Sequence, residues 1–159
     1  MKFENLIFLI LLFNSCIESM PSGELGGWDN VVFQTSEAKL KKAVDSLYKI
    51  QPKYKLTKWK YEAKSWVQTY KHLRITMFYF HDVPEEMYYV TFADSGTGDN
   101  PNYSRLAIRG VENGKGGWKR YVDLPSSEQL RIAKRFNDEI IKPLEHMLRT
   151  ETYVEKSYR

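Results

Sequence analysis

The chain has one cysteine, Cys16, placed three residues past the end of its longest apolar run, Leu6 to Phe13. A lone cysteine closes no disulfide within the chain and builds no thiolate-ligated zinc site. Whatever folds downstream therefore has to do so by burying apolar surface. The means are present: 42% of the 159 residues are apolar and 28% charged, as in ordinary globular domains and unlike disordered chains. Eight consecutive apolar residues are too few to cross a bilayer as a helix, so the sequence does not read as a multi-pass membrane protein.

Residues 1–15 instead have the make-up of a secretory signal. Lys2 supplies the positive n-region, Leu6 to Phe13 the h-region, and Phe13-Asn14-Ser15-Cys16 the end. That ending resembles the lipobox of bacterial lipoprotein precursors in a loose form. Ser15 takes the small position before the cysteine, and Phe13 stands where Leu is usual. The resemblance implies cleavage before Cys16, which becomes a lipid-bearing N-terminus and leaves 144 residues. It further implies a bacterial cell-envelope location, with the outer membrane favoured and the domain facing the periplasm or the surface. Two or more acyl chains anchor stably where one is marginal. The mature domain would then hold no thiol, which removes thiol catalysis. The resemblance ends at residue 16, and no family is recognised for the domain behind it.

The following stretch, Ile17 to Asp29, holds three Gly, one Pro and two Ser, a composition suited to a tether. Residues 16–30 are thus expected to be the lipidated cysteine and its leash, 31–149 one domain, and 150–159 a frayed tail.

Within the domain, Thr35-Ser36 offers a helix N-cap, with Glu37 in the first turn. Leu40, Ala43, Val44, Leu47 and Ile50 then form one apolar stripe that Pro52 ends, which predicts a helix over 36–50. Residues 54–70 fit either a strand or a helical turn. Residues 72–80 and 87–93, joined by the polar 81–86, read as a hairpin, followed by strands over 103–111 and 118–122. Ser126 with Gln129 has capping-box spacing. The stripe Leu130, Ala133, Phe136, Ile140, Ile141, Leu144 and Met147 predicts a final helix, broken by Pro143 near Lys142. Two amphipathic helices flanking an antiparallel meander of three to five strands define an α+β, two-layer sandwich.

Strand alternation then suggests which side chains face outward. With Leu73, Ile75, Met77 and Tyr79 assigned to the core, the opposite face would gather Arg74, Phe78, Tyr89, Arg105, Arg109, Lys119 and Tyr121. Such a basic, aromatic surface suits an anionic partner, an envelope polymer or an acidic protein, and export argues against nucleic acid. A plain solvated sheet face has the same composition. A second basic stretch, 37–64, carries nine lysines against three acids, more than the net +4 of the whole chain. It would either be drawn to an anionic bilayer or form a wet helix face.

Other chemistry is thin. Asp94, Asp99 and Asn100 sit in a Gly-rich loop and offer a weak oxygen set for a cation, without calcium-loop spacing. His72, His81 and His146 form no zinc-binding pair, no nucleophile elbow or phosphate loop is present, and nothing calls for a cofactor. The expectation is a lipid-anchored, non-enzymatic binding module that meets a protein or an anionic envelope polymer. The alternatives are an immunity-type lipoprotein that neutralises a periplasm-acting toxin, or a small hydrolase with His72 or His81 brought near Asp82, Asp94 or Asp99.

Overall fold

A computed structural model describes residues 27–55, 74–93, 102–114 and 117–156. Cys16, most of the leash, the undecided stretch 56–70 and the loop with Asp94, Asp99 and Asn100 lie outside the described residues. So do Lys58, Lys60, Lys64 and His72.

The first helix, α1 (Glu37–Ile50), starts where its cap predicts. The Ser36 hydroxyl accepts from the Lys39 N–H at 3.4 Å, and Leu40, Ala43, Val44 and Leu47 form its buried stripe. Its lysines 39, 41, 42 and 49 are exposed, the wet-face reading of the basic stretch. Five strands follow in one antiparallel sheet: β1 (Asn30–Phe33), β2 (Ile75–Phe80), β3 (Glu86–Ala93), β4 (Ser104–Glu112) and β5 (Thr152–Glu155). Their spatial order is β2-β3-β4-β1-β5. Helices α2 (Ser126–Phe136) and α3 (Lys142–Leu148) join α1 over one face, and the fold is an α+β two-layer sandwich.

The outermost pair, β1 and β5, corrects the sequence reading. Residues 150–159 are not a frayed tail throughout, since Thr152–Glu155 pairs with β1, and Trp28 of the expected leash is 3% exposed. Four-residue strands carry too little alternation to be read locally, and they form because a distant partner accepts them. The expected strand over 118–122 shrinks to a bridge between Val111 and Lys119, followed by a 3-10 turn, Tyr121–Asp123. At the start of α2, Pro125 rather than Ser126 is the N-cap residue. Gln129 makes no capping box. Its side-chain amide donates to the Tyr121 and Leu124 carbonyls instead, at 2.9 Å each. The break near Lys142 is present as a π turn, Asn137–Ile141, directly ahead of Pro143.

Beneath the helices lies the main core, with Phe33, Phe78, Phe80, Tyr88, Val90, Phe92, Leu106 and Ile108 pointing from the sheet. The face assignment of β2 is therefore inverted: Phe78 and Phe80 are core, whereas Met77 and Tyr79 point to the second face. Both sets are apolar, so alternation alone could not choose between them. The second face is itself buried at its centre, with Tyr79, Met87, Tyr89 and Ala107 all at or below 4% exposure. It is not an open platform.

One flank of α2 is fastened to the β2–β3 hairpin by charge. Glu86, 2% exposed, accepts from Arg131, from Arg135 at 3.2 Å and from the Tyr88 hydroxyl at 3.0 Å. Arg135 also donates to Glu139 at 3.0 Å and to the Pro84 carbonyl at 2.6 Å, and it lies over the Phe80 ring. Glu139 in turn accepts from the Tyr54 hydroxyl at 3.1 Å. Every member of this network has a partner, the condition under which buried charge is tolerated.

Candidate functional site

The seven residues expected to share an outward face are divided by the fold. Phe78 is fully buried in the helix-side core. Arg74 pairs with Glu37 on α1. Tyr121 packs edge-on to Trp28, with ring centroids 5.4 Å apart, and Lys119, opposite Val111, falls on the helix side. These four do not meet the rest. Tyr89, Arg105 and Arg109 do share the second face, and Trp118 joins them there with its ring 5.9 Å from that of Tyr89.

The two arginines that remain have different surroundings. Arg105 is clamped by Glu155, its Nε at 2.6 Å and its Nη2 at 3.2 Å, which raises the arginine's proton affinity and lowers that of the carboxylate. Its Nη1 is buried without an acceptor. Arg109 sits in a β-bulge: Tyr89 pairs with Gly110 and Val90 with Ile108, so nothing on β3 stands opposite it. Its Nε donates to the Thr91 hydroxyl at 2.8 Å, and burial lowers its proton affinity. No carboxylate among the described residues pairs with it.

A cleft that sequence reasoning missed opens on the other flank of α2, between that helix and β1–β5. Its volume is about 330 Å³, and Trp28, Val31, Leu130, Ala133, Phe136 and Val154 supply most of its wall. Asp29, Gln129 and Asn137 add polar groups. The local reasons are visible. Gly27 carries the chain so close over Tyr121 that a Cβ there would stand 3.2 Å from the ring, which sets Trp28 into the wall. The Trp28 indole nitrogen is buried without an acceptor. Leu130, assigned by periodicity to the core stripe, is 72% exposed at the rim, and Val154 of β5 is 64% exposed. A tryptophan in a Gly-rich leash was the one signal in the sequence that something there is packed.

The remaining candidates are quickly placed. His81 and Asp82 are exposed, and the His81 ring rests against Tyr79 with centroids 4.2 Å apart. Among the described residues no three His, Cys, Asp or Glu side chains form a group able to hold a metal ion, and no helix is long and apolar enough to cross a membrane. No protein-family model, curated protein or solved structure matches this chain.

Proposed function

We propose that this chain is a lipid-anchored cell-envelope protein whose domain acts by binding rather than by catalysis, and that the cleft beside Trp28 receives its partner. One observation carries the reading. The cleft is concave and mostly apolar, and Trp28 of its wall carries a buried indole N–H with no acceptor. Binding sites are built in this way, with shape and apolar area for affinity and a few polar groups for orientation. Two titratable groups, Asp29 and Tyr121, stand in the described wall among mostly apolar side chains. The partner, a protein or envelope polymer, would present an apolar group that carries a hydrogen-bond acceptor for Trp28. The sequence resemblance around Cys16 supports the envelope location.

The test is a fragment screen read at the Trp28 indole N–H resonance, assigned with Trp28→Phe. Apolar fragments bearing a carbonyl or hydroxyl are expected to shift it saturably, and Ala133→Phe, which fills the cleft, to abolish the shift. Fragments that bind equally well to Ala133→Phe would sink the cleft reading. For the anchor, intact mass of protein extracted from membranes is expected to give an acylated N-terminus at Cys16 that Cys16→Ala lacks. An unacylated or uncleaved wild type would overturn the location.

A further inference from the structure

The bulge at Arg109 leaves a cation in surroundings that ask for an anion. Its neighbours on the second face, Tyr89, Thr91 and Ala107, are buried at 4%, 8% and 1% exposure, and Arg109 itself is half-buried. Water is thus partly stripped from the guanidinium, and among the described residues one hydroxyl, that of Thr91, is supplied in return. The described carboxylates that meet this face are engaged elsewhere, Glu85 by the Tyr79 hydroxyl. Glu155 clamps Arg105, and Glu112, 5% exposed, accepts from the Gly114 N–H at 3.1 Å. Partly desolvated charge without a counter-charge is unfavourable, and a bound oxyanion would relieve that cost.

We propose that Arg109 is the receiving group of an oxyanion site, taking a carboxylate or phosphate through the two terminal nitrogens of its guanidinium. Thr91 serves the site twice. Its oxygen holds Nε and so fixes the plane of the fork, and its own O–H is free in direction to donate to the ligand. The Tyr89 and Trp118 rings pack together along the same face. Arg105, four residues back on the same strand, is not part of the site, because Glu155 already occupies its fork. This site lies on the sheet face opposite the Trp28 cleft, so the two proposals stand or fall separately.

The experiment is a titration of the full chain in detergent with inorganic phosphate and, separately, with acetate. It follows the Arg109 side-chain Nε–H resonance at near-physiological salt, with chloride as the control anion. A saturable shift with phosphate, with acetate or with both is expected, and the stronger of the two identifies the chemistry of the natural ligand. Arg109→Gln should abolish binding. Arg109→Lys, which keeps the charge and loses the planar fork, should weaken it about tenfold or more. Arg105→Gln should leave it unchanged. Thermal unfolding of each variant reports separately on folding. The proposal is overturned if neither anion gives a saturable shift, if chloride competes equally, or if Arg109→Gln still binds.

Discussion

Helix α2 has two flanks of opposite character. On one, Arg131 and Arg135 reach a buried glutamate, a neighbouring acid, two carbonyls and an aromatic ring, and no polar group is left over. On the other, residues one or two positions away, Leu130, Ala133 and Asn137, border a cleft with an exposed rim and an unsatisfied indole. The same eleven residues thus hold the fold together on one side and leave room on the other. A helix fixed firmly along one flank can afford an incompletely packed second flank. Incomplete packing beside a rigid wall is what a ligand requires.

The largest expected effect breaks the closed flank. Glu86→Gln removes the charge that Arg131 and Arg135 converge on, and loss of one partner from a buried ion cluster costs about 3–5 kcal/mol. Denaturant unfolding should show that loss, and a change below about 1 kcal/mol would mean that the latch does not hold the helix. The open flank should respond in the opposite way. Ala133→Phe is expected to stabilise by about 0.5–2 kcal/mol through cavity filling, and Leu130→Ser to stay within about 0.5 kcal/mol of wild type. A strongly destabilised Leu130→Ser would show that the rim is packed after all.

Tyrosine ionisation sharpens the contrast. Burial, then the charge of Glu86, pushes the Tyr88 hydroxyl far up, and burial with Glu139 does the same for Tyr54. Burial pushes Tyr48 up to about 12, although its bonds to Thr76 and to the Met77 carbonyl pull the other way. These groups favour the protonated form in the folded state. Their contribution is complete below pH 10, the unfolded value; that of Tyr48 is lost as pH rises through about 12, and those of Tyr54 and Tyr88 at still higher pH. Tyrosinate absorbance should therefore show an early step from exposed tyrosines and a late one that coincides with alkaline unfolding. A single step near pH 10 would contradict the burial of these three hydroxyls.

The smallest effect belongs to a third, solvent-facing side of the helical segment. Asp138 lies between Lys134 and Lys142, and their hydrogen bonds lower its carboxyl to about 2. Its stabilising contribution is present above the usual carboxylate range and disappears as pH falls through that value. The group is fully exposed, so salt should weaken the effect. Carboxyl NMR titration should place its midpoint near 2, and Lys142→Met should move it up.

Much of this arrangement was legible in the sequence. The cap of α1 and its stripe up to Leu47, the hairpin of β2 and β3, strand β4 and the break near Pro143 follow from local chemistry that the fold leaves unaltered, whereas Ile50, expected to close the stripe, is 67% exposed. Three things were not legible. The face of β2 was ambiguous because Met77 and Tyr79 are as apolar as Phe78 and Phe80, and only the helices decide which pair they cover. Strands β1 and β5 owe their existence to each other and to β4. The cleft arises from that same distant pairing, so no window of sequence contains it. Of the expected basic face, Arg105 and Arg109 stayed together because β4 interleaves them with the apolar Leu106 and Ile108, and Tyr89 joins them from β3. Arg74, Phe78, Lys119 and Tyr121 were assigned from an inverted strand or from a strand that does not form.

The order of the sheet carries one further consequence, for the sequence of events in folding. Strand β1 comes first in the chain but lies second from the edge, and its outer neighbour, β5, is the last element described. A chain still being made presents β1 with one side bare until Thr152–Glu155 has been added. Closure of the sheet then has to join segments far apart in the sequence, a contact that is slow to form by diffusion. The sheet is thus complete only once β5 is present, and removal of Thr152–Glu155 should cost far more than its four exposed or half-exposed side chains suggest.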